Sequence, residues 1–132
     1  MTGKAARLLA VAVVTLALGV GSRLVPAGAS WWDKYTGDAA YASMVFVVIA
    51  CCRGARPRAG AVTAAAVFCT LIECFQATGL PLQWGQSENG ALRLFARFVL
   101  GSTFGWLDLP AYAFGIAVAA LATGRAVSTA DQ

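Results

Sequence analysis

The sequence predicts an all-α membrane protein, a bundle of four transmembrane helices plus a short interfacial amphipathic helix between spans three and four. Of its 132 residues, 59% are hydrophobic and 12% are charged, and the mean hydropathy is +0.70. A soluble domain carries about 25% charged residues, and one of this length leaves about a third of its surface in water. Lipid is therefore the predicted solvent of one integral membrane domain.

The first span is predicted at about 8–25, after Lys4 and Arg7. Its uninterrupted apolar run rises only about 21 Å, short of the roughly 30 Å hydrocarbon core. The helix must therefore extend past Arg23, whose side chain snorkels outward. The alternative is a cleaved signal peptide, because Ala27-Gly28-Ala29 has the small-x-small pattern of a cleavage site.

Three further spans follow. The second, about 37–52, ends at a triply basic turn that contains Pro57, which disfavours helix in the residue before it. The third, about 59–80, is long enough to cross with some tilt and stops at a Gly-Leu-Pro sequence. The fourth is predicted at about 105–124.

The segment between spans three and four contains an amphipathic stretch at about 91–101, which is too short to cross. Arg93 and Arg97 are four residues apart between apolar helical rows. Trp84 and Trp106 flank it as aromatic-belt anchors. The pattern predicts a helix lying at the membrane interface.

The distribution of basic residues predicts the orientation. Cytoplasmic loops of membrane proteins carry the excess of Lys and Arg, so a multi-pass protein of the cell membrane with both termini cytoplasmic is expected. The scattered basic residues form no aromatic-rich basic face, which argues against nucleic acid. The cytoplasmic face would hold Lys4, Arg7, Arg53, Arg56, Arg58 and Arg125, and the other face Arg23, Lys34, Arg93 and Arg97.

The polar residues of the spans then fall toward the outer leaflet. A carboxylate at the centre of a membrane helix costs about 2.5–3.5 kcal/mol, so Glu73 should point into the bundle. The simpler interpretation makes Asp38 and Asp108 helix-start carboxylates, pairs Lys34 with Asp38, and makes Tyr112 an interfacial anchor. The candidate polar cluster is Arg23, Lys34, Asp38, Glu73, Gln76, Arg97, Asp108 and Tyr112.

Catalytic and metal patterns are weak. Histidine is absent, which removes His-based triads and His-liganded metals. The four cysteines lie inside spans two and three without a C-x-x-C pair, where cysteine behaves as a small hydrophobe. No catalytic residue, metal or cofactor is expected; a membrane enzyme using Glu73, Asp38 and Asp108 is the alternative. Gly101 and Gly105 have the small-x-x-x-small spacing that predicts close helix approach.

Several pieces occur in the order of a known family: GVGSRLVP, KYTGDAAYASMVF, IECFQ and LRLFARFVLGSTFGWLDLPAYAFG. In this order the chain resembles bacterial membrane proteins called domain of unknown function 2809, from about Leu8 to Ala120. The resemblance implies no activity. The positions it matches are Arg23, Lys34, Tyr35, Gly37, Asp38, Glu73, Gln76, Arg97, Trp106, Asp108, Tyr112 and Gly115.

A weaker similarity reaches the VanZ-like membrane proteins, some of which are associated with resistance to the glycopeptide teicoplanin. It rests on Asp33-Lys34, on Glu73 with Gln76, and on Asp108 with Gly115.

Two functions follow as hypotheses. The first is a non-enzymatic envelope protein whose outer polar cluster binds an anionic lipid or a cell-wall-related ligand, with Arg23 and Arg97 attracting phosphate. The second is a small proton-linked transporter or permease that works as a homo-oligomer, with Glu73 as the exchanging carboxylate. A polar track across the bundle would favour transport.

Overall fold

The structure is a computed structural model that describes residues 3–25, 28, 30–53, 58–101 and 104–124. Within these ranges the regular secondary structure is entirely helical, which confirms the predicted all-α class. The elements are α1 (Gly3–Leu24), α2 (Ser30–Arg53), α3 (Arg58–Gln76), α4 (Leu80–Gly85), α5 (Gly90–Phe95), a π-helical segment (Ala96–Leu100) and α6 (Asp108–Gly124).

Helix α2 is the centre of the bundle. It packs against α1, α3 and α6, and α3 also packs against α6. The core where α2, α3 and α6 meet contains Phe46, Ala65, Cys69 and Ile116, all buried. The short helices α4 and α5 and the π-helical segment contact one another beside the end of α3.

The outer surface of the bundle is apolar. Helices α1, α2 and α3 each contain a stretch long and apolar enough to cross a membrane, and α6 is a shorter apolar helix of 17 residues. Leu16, Leu71 and Leu121 are among many large apolar side chains that point outward. Such contiguous apolar surface is unfavourable in water and suits lipid.

Close contact between α2 and α6 depends on Gly115. A Cβ there would collide with the backbone carbonyl of Ala39. The Ser43 hydroxyl lies between the helices, 2.9 Å from the Ala39 carbonyl oxygen and 2.8 Å from that of Gly115, and donates to them. Small residues with hydroxyl bridging are the usual means of joining helices in lipid.

Helix α1 packs against α2 through a similar seam. Gly19 faces Ala40, and Gly37 faces the Ser22 side chain. Most of the remaining surface of α1 is exposed. This helix is therefore attached mainly along one narrow stripe.

The helix ends differ in places from the predicted spans. Helix α2 begins at Ser30, ahead of the predicted residue 37, because the Trp31–Trp32 pair and the residues after it continue the helix. Helix α3 ends at Gln76 rather than Leu80, because Gly79 adopts a left-handed conformation (φ 74°). That turn leads into α4, with Pro in its first turn.

The stretch 91–101 lies in α5 and the π-helical segment. Asn89 caps α5, because its side chain accepts hydrogen bonds from the amides of Ala91 (3.0 Å) and Leu92 (3.2 Å). Gly101 (φ 73°) follows the π-helical segment. Gly101 and Gly105 both lie outside the helices, so the prediction that they mark a close helix approach was wrong: a left-handed residue ends the helical run.

The four tryptophans share one end of the bundle. Trp31 and Trp32 are in the first turn of α2, where their rings stand edge to face with centroids 5.8 Å apart. Trp84, in α4, packs against Phe75 near the end of α3, and Trp106 precedes α6. These positions are typical of an interfacial aromatic belt.

Candidate functional site

The polar residues collect at the same end as the tryptophans, where α2 begins, α3 ends and α6 begins. We call this region the polar end; it contains Lys34, Asp38, Glu73, Asp108 and Tyr112. Each side chain is at this depth because it lies within a few turns of the same end of its helix.

The most exposed part of the polar end is the ion pair between Lys34 and Asp108. Lys34 Nζ lies 2.8 Å from both Asp108 carboxylate oxygens. The Asp108 side chain is only 3% exposed, whereas that of Lys34 is 39% exposed. The ammonium therefore connects a buried carboxylate to the surface, in the charge-assisted geometry that gives strong hydrogen bonds.

Gly105 closes the ion pair on one side. A Cβ at Gly105 would lie 2.9 Å from Lys34 Nζ and from an Asp108 carboxylate oxygen. The Gly105 carbonyl also accepts a hydrogen bond from the Asp108 amide (2.9 Å). The loop before α6 can approach the pair this closely because it carries no side chain there.

Glu73 and Tyr112 form the buried part of the polar end. The Tyr112 hydroxyl donates to Glu73 Oε1 over 2.6 Å and links α3 to α6. Glu73 is 1% exposed. Its Oε2 has no hydrogen bond of normal geometry within the described ranges, although the Gly105 backbone lies beside the carboxyl.

Electrostatic interactions join these two pairs. Asp38 is close enough to act on both Lys34 and Tyr112, and the Glu73 carboxyl interacts with both Lys34 and Asp108. Among the described residues, the Lys34 ammonium and the Tyr112 phenol therefore each interact with more than one of these three carboxyl groups. In a low-dielectric interior such interactions are stronger than in water.

Gln76 belongs to an adjoining contact. Its side-chain amide donates to the Leu100 carbonyl and ties the end of α3 to the π-helical segment. A Cβ at Gly101 would lie 2.7 Å from the Gln76 amide nitrogen. Gln76 Oε1 is buried and accepts no hydrogen bond from the part of the chain that the structure describes.

The two remaining candidates stand apart. Arg97 is exposed on the π-helical segment, and its Cγ lies close to Gly85 of α4. Arg23 lies in the last turn of α1, and its side chain falls outside what the structure describes.

The structure changes three simpler interpretations from the sequence. Asp108 lies in the first turn of α6, as expected, but it is also buried in an ion pair. Lys34 interacts electrostatically with Asp38, as expected, and hydrogen-bonds Asp108 as well. Tyr112 is a buried hydrogen-bond donor rather than an interfacial anchor. Sequence reasoning also did not place Gly105 beside the polar end. The sequence feature that could have indicated this is its position three residues before Asp108, where α6 begins.

The geometry limits the chemistry available here. Within the described ranges no group of three or more His, Cys, Asp or Glu side chains is arranged to hold a metal ion. The Tyr112–Glu73 pair is closed to a substrate, since both residues are buried. Among the residues of the polar end, Lys34 is the most exposed, and its ammonium can bind an external oxygen.

Below the polar end the interior is apolar. Phe46, Ala65, Ile116 and Ala119 are all buried between Tyr112 and the opposite end. At that opposite end Arg58 donates to the Thr123 carbonyl (3.0 Å). The described residues therefore show two polar ends separated by a packed core rather than a track across the bundle.

Comparison with known protein families identifies the family of this chain. The family described as "Protein of unknown function (DUF2809)" matches residues 27–116. No curated protein and no solved structure matches the chain. These findings support the first resemblance seen in the sequence, whereas the similarity to VanZ-like proteins is not shown. Since the match covers well over half of the chain, the protein belongs to the DUF2809 family of proteins of unknown function.

Proposed function

We propose that the protein is a four-span, non-enzymatic protein of the cell membrane that binds the phosphate-bearing head group of a lipid or cell-wall-related ligand. Binding occurs at the polar end, in the outer leaflet, with both termini in the cytoplasm. The observation that carries this proposal is the Lys34–Asp108 pair, in which a buried carboxylate holds a partly exposed ammonium.

The fourth span is α6. Its 17 residues rise about 26 Å, close to the roughly 30 Å hydrocarbon core. Phe114, Val118 and Leu121 point outward along it and suit contact with lipid. An even number of crossings places both termini on one side, and the basic turn after α2 assigns that side to the cytoplasm.

The chemistry of Lys34 supports head-group binding. An ammonium has three N–H donors, and the two Asp108 oxygens at 2.8 Å occupy at most two of them. Because the Lys34 side chain is 39% exposed, its ammonium can also reach a phosphate oxygen at the surface. Arg97, exposed on the π-helical segment at the same end, adds a second cation.

The test measures lipid selectivity of the intact protein in nanodiscs that contain phosphatidylglycerol and phosphatidylcholine. Arg97→Ala should lower the enrichment of phosphatidylglycerol about fivefold, since one basic residue near an anionic surface contributes about 1 kcal/mol. Lys34→Arg should keep the enrichment, because a guanidinium can hold Asp108 and a phosphate together.

Arg93→Ala is the matched control, because Arg93 is an exposed arginine of neighbouring α5. The loss of enrichment should be smaller for Arg93→Ala than for Arg97→Ala, because Arg97 is proposed to contact the head group directly, whereas Arg93 contributes only a long-range attraction that salt weakens. Equal losses in Arg93→Ala and Arg97→Ala would show nonspecific attraction to anionic lipid and contradict a defined site. Wild-type protein without any enrichment would contradict the proposal as a whole.

The core disfavours transport as the function. Proton-linked transport through Glu73 requires polar groups that continue toward the cytoplasm. Phe46, Ala65 and Ile116 instead fill the described interior next to the Glu73–Tyr112 pair. A homo-oligomer would not change this packing inside one bundle.

A further inference from the structure

A groove runs along the outside of the bundle between α1, α2 and α6. Its volume is about 760 Å³, within the range of about 300–1,000 Å³ typical of small-ligand sites. It lies on the α1 side of α2 and α6, whereas Glu73 approaches these helices from α3. It is therefore separate from the buried part of the polar end.

The wall of the groove offers hydrocarbon contact. Val14, Leu18, Phe114 and Val118 line it. The Thr15 hydroxyl in the wall donates to the carbonyls of its own helix, Val11 (2.8 Å) and Ala12 (3.1 Å). The Ser43 hydroxyl is likewise directed at backbone carbonyls. A peptide or sugar would find few hydrogen-bond partners here, whereas an alkyl chain needs none.

One end of the groove reaches the polar end. Trp31, Tyr35 and Leu107 line it there, and Lys34 Nζ lies 5.7 Å from the centroid of the Tyr35 ring. The exposed ammonium thus lies beside the mouth of an apolar channel. That combination of charge and apolar surface is complementary to a phosphate attached to a hydrocarbon chain.

We propose that this groove holds one hydrocarbon chain of the phosphate-bearing lipid whose head group contacts Lys34; this inference rests on the proposed function. Charge and apolar surface together favour this occupant: the Lys34 ammonium near one end suits a phosphate, and the apolar wall along the rest suits an alkyl chain.

The experiment uses phosphatidylglycerol with a diazirine midway along one chain, present as a trace in phosphatidylcholine vesicles containing the full protein. After photolysis, mass spectrometry maps the adducts. Leu18, Phe114 and Val118 in the groove should be labelled more strongly than Val67 and Leu71, which are exposed on α3 outside it.

A blocking variant and a matched control sharpen the result. Ala111 lines the groove, while Ala113 is exposed on the same helix outside it. Ala111→Phe should reduce groove labelling about fivefold, the effect of losing about 1 kcal/mol of chain binding. Ala113→Phe should leave labelling unchanged. Ala122→Phe, which blocks the opposite end of the groove, repeats the test if Ala111→Phe fails to fold.

The outcomes separate this inference from the proposed function. Uniform labelling of the groove and α3, or labelling that Ala111→Phe and Ala122→Phe do not reduce, overturns the chain site. If phosphatidylglycerol enrichment still depends more on Arg97 than on Arg93, the head-group proposal survives that result. If the phosphatidylglycerol enrichment is also absent, both the chain site and the head-group proposal are contradicted.

A second copy in the groove would also overturn the inference. The test introduces a cysteine at Val118, which lines the groove, or at Ala117, an exposed neighbour outside it. An intermolecular disulfide formed by Val118→Cys and not by Ala117→Cys would identify a dimer interface. Equal, low cross-linking of the two variants supports a lipid chain.

Discussion

At the scale of single residues, the contact with the largest expected effect on stability is the Lys34–Asp108 pair. Lys34→Met leaves the buried Asp108 carboxylate without its ammonium. Breaking a buried pair costs about 3–5 kcal/mol, and the partial exposure of Lys34 places the expected loss near 3 kcal/mol. Titration with SDS in mixed micelles measures the free energy of unfolding.

The exposed Arg93 provides the control. Arg93→Met should change stability by no more than about 0.5 kcal/mol. Adding Asp108→Asn to Lys34→Met should recover part of the loss, since the unpaired charge is then removed. A Lys34→Met protein as stable as Arg93→Met would show that the pair contributes little.

Tyr112→Phe tests the buried hydrogen bond to Glu73. Loss of the hydroxyl leaves a buried carboxyl oxygen without its donor, at a cost of about 1–3 kcal/mol. Tyr41→Phe is the comparison, because its ring packs 6.4 Å from that of Tyr112 outside the Glu73 hydrogen bond. The same unfolding titration applies, and equal losses in both variants would contradict a specific role for the Tyr112–Glu73 bond.

Sequence reasoning placed Lys34, Asp38, Glu73 and Asp108 at one end because the distance of each from its helix end gives its depth. It could not assign their partners, since pairing depends on the rotation of each helix about its axis. Lys34 could therefore be paired along its own helix with Asp38, while the structure turns it toward α6. Depth alone likewise could not show whether the Tyr112 side chain points to the interface or into the bundle.

At the scale of helices, the close contact between α2 and α6 limits the size of the residue at position 115. In Gly115→Ala the new methyl group meets the Ala39 backbone carbonyl, which cannot move aside as a flexible side chain would. Overpacking of this kind costs about 1–3 kcal/mol. Thermal unfolding in detergent should show a lower Tm.

Gly21→Ala is the matched control on α1, because a Cβ there has no neighbour within 4 Å. Replacing an unconstrained helical glycine should be neutral or gain about 0.5–1 kcal/mol. If Gly115→Ala unfolds at the same temperature as Gly21→Ala, α2 and α6 do not depend on this close approach.

The helices were predictable to different degrees. Long apolar runs indicated α1, α2, α3 and α6, because apolar length is the main requirement for a membrane helix. Their ends were less predictable. Hydropathy alone placed the start of α2 too late, although Pro26 and Gly28 precede Ser30 in the sequence. The left-handed Gly79 likewise marks an end of α3 that hydropathy alone does not show.

For the whole molecule, the proposed four-span topology makes a labelling prediction. In a chain whose native cysteines are replaced, Glu88→Cys in the loop between α4 and α5 should react with an impermeant maleimide added outside cells. Arg56→Cys and Ser128→Cys should react only after the membrane is opened. The basic loop and the polar tail would then share the cytoplasmic face.

Ser128 distinguishes four spans from three. If α6 lies along the surface instead of crossing, Ser128→Cys will be labelled from outside together with Glu88→Cys. Labelling of Arg56→Cys and Ser128→Cys from outside, with Glu88→Cys protected, would instead mean that the whole bundle is inverted.

The shared location of the four tryptophans gives the protein an optical reporter of one leaflet. Trp31, Trp32, Trp84 and Trp106 all emit from the end that holds Lys34 and Asp108. Brominated lipids or soluble quenchers supplied from that side will therefore reduce the intrinsic fluorescence, while the same quenchers confined to the opposite side will have little effect. Ligand arrival at the polar end can be followed in the unlabelled protein.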